Sequence, residues 1–235
     1  MTWSIVARDP ATGALGIVVA TRFFAVGARV PHIATGVGAV ATQAMVNPFY
    51  GTRGIRLLAQ GVPAADVVAL LTRDDDGRES RQVHLMDSAG RIAAHTGSDC
   101  IDWCGHLIRD SFSVAGNMLA GAAVIEDTAR AYEANASLPF ARRLIAAMKT
   151  GEAAGGDKRG KQSAALLIHG TQEYSDLDLR VDDHGDPLAE LTRLEAVSHE
   201  HWTIFRRFMP SRENPAGVVD RDVINAAVAR AQSER

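Results

Sequence analysis

The stretch Thr2-Trp3-Ser4-Ile5-Val6-Ala7-Arg8, then Asp9-Pro10-Ala11-Thr12-Gly13, then Ala14-Leu15-Gly16-Ile17-Val18-Val19-Ala20, decides how this chain begins to fold. A period of two runs through the first segment. Thr2, Ser4 and Val6 share one strand face, and Trp3, Ile5 and Ala7 share the other. Pro10 presets its own φ and Gly13 accepts φ > 0, so the middle segment is a turn. The mostly apolar run from Ala14 to Ala20 is the returning strand, and the two segments read as a hairpin.

Working outward, a basic and aromatic loop occupies residues 21–29, and β-like segments follow at 30–35 and 37–43. Two helices are expected next, one from Pro48 to about Gln60, stopped by Gly61, and one from Pro63, a favoured first-turn residue, to about Thr72. Asp74-Asp75-Asp76-Gly77 reads as a solvated loop, and Val83 falls where a calcium loop would need Glu. A second hairpin pairs 82–86 with 91–95 around Asp87-Ser88-Ala89-Gly90, and a strand at 112–115 ends in Gly116-Asn117. Helices are expected near 122–134 and 139–149, then a glycine-rich charged loop over 151–162, strands at 163–169 and 177–181, and helical pattern over 187–208 and 222–233. Strands that come as hairpins form largely antiparallel sheets, with the paired helices packed outside them, an α+β arrangement. One domain over residues 1–185 and a helical C-terminal extension over 186–235, packed on the same domain, is the economical division.

The 235 residues are 46% hydrophobic and 23% charged, with a net charge of -3. That balance belongs to an ordinary globular protein and lacks the basic face of a nucleic-acid binder. Burial of about 70% of the unfolded chain's surface makes a metal or disulfide staple unnecessary. Cys100 and Cys104, four residues apart, are too few for a disulfide scaffold and lack the other pair of a zinc site, so they read as small buried hydrophobes that could share a helical face. No signal-peptide pattern opens the chain, and no apolar run approaches the length of a membrane span. The expectation is a cytoplasmic protein with no membrane or nucleic-acid partner, no metal and no cofactor. Gly36-Val37-Gly38-Ala39-Val40-Ala41 lacks the downstream acid and the strand–helix alternation of a dinucleotide site. His199 and His201 point to different sides of a helix and make poor metal ligands.

Several longer segments resemble a known family. They are residues 1–23, Gly38–Ala44 (GAVATQA), His95–Cys100 (HTGSDC), Gly116–Gly121 (GNMLAG), residues 153–167 (AAGGDKRGKQSAALL) and Asp178–His184 (DLRVDDH). They are similar to a bacterial group catalogued as domain-of-unknown-function family 1028, grouped with the N-terminal-nucleophile (Ntn) hydrolases, and the likeness covers about residues 2 to 195. What the resemblance implies is an Ntn-hydrolase-like four-layer αββα sandwich. It also implies an amidohydrolase that cleaves a small or peptide-like amide, or else a non-catalytic ligand-binding protein that retains the scaffold.

A looser resemblance, to proteasome β-subunits, places the nucleophile at Thr2 and echoes their second strand in Val18-Val19-Ala20-Thr21-Arg22. Ala20 stands where their acidic residue belongs, and Arg29 is the nearest basic residue to their catalytic lysine, so the likeness does not extend to proteasome-like proteolysis. In such a site the Thr hydroxyl attacks a carbonyl, and its own α-amine, with a reference pKa of about 7.7–8.0, takes the proton. That chemistry requires removal of Met1. Otherwise Thr2 is simply the first residue of an edge strand.

Asn117, after Gly116, is a donor for an oxyanion or the terminal amine, or else a turn residue tolerating a left-handed backbone. The backbone N–H groups near Thr42 and Gln43 offer a second oxyanion hole. By resemblance Asp157 and Ser163 orient Thr2. Ser4, Arg22 and Gln162 complete the expected lining, and the cations of the 155–163 loop favour an anionic substrate. Asp182-Asp183-His184 reads as an acid pair with a histidine, or as the cap of the helix after Asp186. Last, Trp202, Phe205, Phe208 and Met209 form an apolar stripe on the C-terminal helix, expected as a homodimer interface.

Overall fold

A computed structural model describes residues 2–233. The chain forms two compact units, Met1–Leu191 and Thr192–Arg235. In the first, the opening hairpin forms as β1 (Thr2–Arg8) and β2 (Leu15–Thr21), followed by β3 (Pro31–Ala34) and β4 (Gly38–Ala44). Helices α1 (Pro48–Ala59) and α2 (Ala64–Arg73) precede β5 (Arg81–Asp87), β6 (Ile92–Thr96), β7 (Gly105–Ile108) and β8 (Phe112–Asn117). Then come α3 (Ala123–Ala134), α4 (Phe140–Ala153), β9 (Ser163–His169) and β10 (Leu177–Val181). Helix α5 (Pro187–Ser198) runs across the division into the second unit, which continues with α6 (Trp202–Phe205) and α7 (Arg221–Ser233).

The strands form a six-stranded sheet, β10-β9-β2-β1-β8-β7, and a four-stranded sheet, β3-β4-β5-β6. Every pairing is antiparallel. The sheets face each other, with α3 and α4 on the outer face of the larger and α1 and α2 on the outer face of the smaller. This is the expected four-layer αββα sandwich. Strand β1 lies inside its sheet, between β2 and β8, so Thr2 does not open an edge strand.

Three sequence expectations need correction. Strand β7 was not anticipated: Gly105-His106-Leu107-Ile108 is short, and the alternation that marks a strand spans only four residues. Cys100 and Cys104 lie on no helix. They sit in the irregular segment before β7, where the Cys104 thiol donates to the Cys100 carbonyl at 3.3 Å. The helical pattern over 187–208 is broken after Ser198, and Trp202, Phe205, Phe208 and Met209 fall on α6, a short 3-10 turn (Arg206–Phe208) and the residue after it.

The space between the sheets has an apolar half and a polar half. Val6, Leu15, Ile17, Val19, Ala39, Ala41 and Met86 pack in the first. In the second, Thr2, Ser4, Gln43, Gln82, His84, Ser113 and Asn117 are all buried. The Ser4 hydroxyl donates to Gln43 Oε1 at 2.7 Å, and Ser4 Oγ lies 2.8 Å from His84 Nε2. Since Ser4 has spent its only hydrogen, His84 Nε2 is the donor in that pair. His84 Nδ1 then accepts from the Ser113 hydroxyl, also at 2.8 Å. A neutral imidazole is what burial favours, and it lowers the His84 pKa to about 3, with the charge of His106 a smaller cause.

An unfolded histidine titrates near pH 6.5. Between that pH and about 3 the unfolded chain binds a proton that folded His84 refuses. His84 therefore contributes stability that is complete above about pH 6.5 and is lost as pH falls, at up to about 1.4 kcal/mol per pH unit. Between pH 7.5 and 5.0 the melting temperature should fall further in the native protein than in His84→Gln; equal falls would show that His84 carries no share of the acid limb.

Helix α4 packs directly on β2 because Gly16 has no side chain. A Cβ there would lie 2.8 Å from both Leu144 Cδ1 and Phe140 Cε1. Gly16→Val should cost about 1–3 kcal/mol, a drop of several degrees in melting temperature for a chain this size. Gly185→Ala, with nothing within 4 Å, is the control that should melt near the native value.

Candidate active site around Thr2

Thr2 is 7% exposed and pairs with Asn117 across β1 and β8. Its hydroxyl donates to Thr21 Oγ1, at the end of β2, at 3.2 Å. Its carbonyl lies within reach of two side-chain amides, Asn117 Nδ2 at 3.4 Å and Gln43 Nε2 at 3.5 Å. Both amides also donate to Gln82 Oε1, at 3.0 and 2.8 Å. Gln82 Nε2 is held in turn by Thr96 Oγ1 and by the carbonyls of Gly105 and Gly116, at 2.9–3.0 Å. Each amide orientation is thus fixed by its neighbours.

Thr2 lines a partly open pocket of about 80 Å³ with Thr21, Phe23, Val26, Arg29, Val30, Gln43, Ala44 and Val46. Beyond Ala44 lies a second, of about 70 Å³, lined by Met45, Asp99, Cys100, Ile101, Asn117 and Met118 among others. Ala44 (φ 70°), Met118 (φ 53°) and Ala25, in the loop after β2 (φ 53°), are non-glycine residues with a left-handed backbone. Backbone strain of this kind collects at ligand sites because the surroundings must over-determine it.

Of the residues singled out from sequence, Thr2, Gln43 and Arg29 meet in the first cavity and Asn117 reaches the Thr2 carbonyl. Asp157 and Ser163 reach the wall of that cavity instead. The Asp157 carboxylate accepts from the Arg22 backbone at 2.9 Å and from Arg159. Ser163 accepts from the Val26 backbone at 3.1 Å and donates to the Phe23 carbonyl at 2.5 Å. Together they pin the loop that carries Phe23, Val26 and Arg29. Ser4 is fully enclosed in the polar core. The Thr42 backbone donates to the Val30 carbonyl at 3.3 Å and its hydroxyl to the Asn47 carbonyl, which occupies one of the two expected oxyanion donors. Gly116 leaves room for Leu119, whose Cδ1 would lie 2.5 Å from an added Cβ. Arg22 donates to the Lys161 carbonyl, and Gln162 to Asp183.

The trio at 182–184 serves turns: Asp182 pairs with Arg180, His184 accepts from the Asp186 backbone, and Asp186 caps α5 through Ala189. Gln82, His84 and Ser113 are not singled out by the sequence, and Thr21 enters there only as part of the second-strand motif. On β5 the polar residues 82 and 84 alternate with Val83 and Leu85, a pattern that reads as a solvent face. Here α1 and α2 take the apolar face and the larger sheet takes the polar one.

The comparisons with known proteins follow the same outline. A solved structure from Silicibacter pomeroyi, described as belonging to family DUF1028, superposes with a TM-score of 0.87 at 34% identity, over 94% of this chain and 96% of its own. An ancestral β-subunit (Anbu) from Yersinia bercovieri superposes over 83% of this chain and 94% of its own, with a TM-score of 0.42 and 9% identity, too remote to carry an argument. No curated protein matches the sequence. The family of unknown function DUF1028 itself matches residues 2–191, the span that holds both sheets and the whole Thr2 site, and the chain belongs to that family.

Proposed function

We propose that the protein is an N-terminal-nucleophile amidohydrolase that cleaves a small or peptide-like amide in the cytoplasm. The observation that carries this reading is the setting of Thr2, buried at the head of a central strand and lining a pocket with its hydroxyl on Thr21. With Met1 removed, the Thr2 α-amine takes the hydroxyl proton as Oγ1 attacks the amide carbon. The tetrahedral adduct collapses as the C–N bond breaks, and the amine returns the proton to the leaving nitrogen. Water, deprotonated by the same amine, then attacks the ester, releases the acid and restores the Thr2 hydroxyl. Asn117 and Gln43 act in this scheme by holding the Thr2 peptide. Met1 lies outside the described residues.

A second reading, a ligand-binding protein on the same scaffold, is favoured by a specific observation. Both N–H groups of the Asn117 and Gln43 amides are committed to the Thr2 carbonyl and Gln82, which leaves neither amide a donor for a developing oxyanion, and Asp157 serves Arg22 and Arg159. Intact mass of natively expressed protein separates the two, since retained Met1 rules out the terminal amine. Against a panel of small amides, Thr2→Ser should retain measurable turnover and Thr2→Ala should lose about three orders of magnitude or more. Undiminished turnover in Thr2→Ala would remove Thr2 from the mechanism.

We also propose that the chain is a homodimer through its C-terminal unit. There Phe205, Phe208, Met209, Val219 and Ile224 line an open groove of about 530 Å³, and Val219 is 86% exposed. Apolar surface rimmed by polar groups marks an interface. Light scattering should give twice the chain mass for the native protein and the single-chain mass for Val219→Glu.

A further inference from the structure

The cations near Thr2 differ in one respect: which of them is already engaged. In the 155–163 loop, Lys158 Nζ donates to the Asp102 carbonyl at 2.8 Å, and Arg159 pairs with Asp157 at 3.4 Å. Lys161 pairs with Glu152 at 2.9 Å and with Asp186 at 3.1 Å. Arg22 is held by the Lys161 carbonyl. The Arg29 guanidinium has no hydrogen bond or ion pair to any described residue, Thr2 included, although its backbone is fixed by a bond to the Val26 carbonyl at 3.1 Å. It is nonetheless part of the wall of the Thr2 cavity, where its neighbours Phe23, Val26, Val30 and Val46 are apolar.

We propose that this cavity selects a compact aliphatic group bearing a carboxylate, with Arg29 as the residue that reads the carboxylate. Size sets the first limit. At about 80 Å³ the cavity is roughly half the ~150 Å³ that holds a benzene, so it takes a group of isopropyl size. Chemistry sets the second. A planar guanidinium offers a carboxylate two parallel donors, and the apolar residues beside it suit the aliphatic part of the same group. The loop that carries Arg29 is braced by Ser163 and Asp157, so the backbone from which the guanidinium extends is preformed. This inference rests on the amidohydrolase reading for its relevance to turnover. The carboxylate then belongs either to the acyl half of the amide or to its amine half.

Binding tests it without turnover. The probes are isobutyrate and 3-methyl-2-butanone, a neutral ketone of the same shape, titrated by NMR into the native protein and Arg29→Gln. Isobutyrate should bind the native protein at least about tenfold tighter than the ketone, and Arg29→Gln should erase that preference. Arg29→Lys should restore part of it. Equal binding of the two probes, no binding of either, or a preference unchanged in Arg29→Gln overturns the proposal. Competition assigns the side: N-acetylvaline displaces isobutyrate if the carboxylate sits on the amine half, and N-methylsuccinamate if it sits on the acyl half. Displacement by neither also overturns it. Cleavage of neutral amides without carboxylate preference would remove this inference and leave the Thr2 chemistry standing, whereas carboxylate selectivity without turnover would do the reverse.

Discussion

A buried side-chain amide between two sheets has to satisfy every donor and acceptor it carries, and most of the site's geometry follows from how Gln82 does so. Its Nε2 is shared among Thr96 and the carbonyls of Gly105 and Gly116, and its Oε1 receives Asn117 and Gln43. An unsatisfied buried polar group costs about 1–3 kcal/mol, so these partners are mutually enforcing. The consequence is that β5 of one sheet and β1, β7 and β8 of the other are tied at one level. Thr2 sits at that level, with the second hydrogens of both amides turned toward its carbonyl.

The loop after β2 is the complementary half of the site. It joins the larger sheet to the smaller one, so its path is free to wall a cavity, but only if something outside it fixes that path. Asp157 and Ser163 supply the fixing through backbone contacts at Arg22, Phe23 and Val26. The resemblance to proteasome β-subunits implies that these two residues orient Thr2 itself. Here they act one step removed: they hold the loop whose Phe23, Val26 and Arg29 line the pocket beside Thr2.

The opening hairpin was legible because period-two alternation and a Pro–Gly turn leave little else for residues 2–20 to do. The helices were legible from their first-turn prolines and stopping glycine. Position within a sheet was not, since β1 as an edge strand and β1 as a central strand have the same local sequence and differ only in what arrives later at β8. The burial of the polar face of β5 is hidden for a related reason. Alternation tells which residues share a face, and only the other sheet decides that Gln82 and His84 are the buried ones. Arg29 and Thr2 are visible as residue types 27 positions apart, but not that the Arg29 guanidinium would be left without a bond to any described residue.

Family membership and a sandwich fold leave the chemistry open, because a scaffold is kept by binding proteins and enzymes alike. The anchors of Thr2 narrow the question. Its pairing with Asn117, the amides on its carbonyl and the Thr21 contact on its hydroxyl all engage atoms on the C-terminal side of the bond that joins it to Met1. Cutting that bond breaks none of them. These contacts of Thr2 are made by the fold beyond residue 1, and under the proposed mechanism loss of Met1 would add an amine beside them. The same anchors make a bound ligand in the uncut protein meet the same walls. Under the proposed hydrolase mechanism, removal of Met1 would then change what the site does to its ligand far more than which ligand it holds.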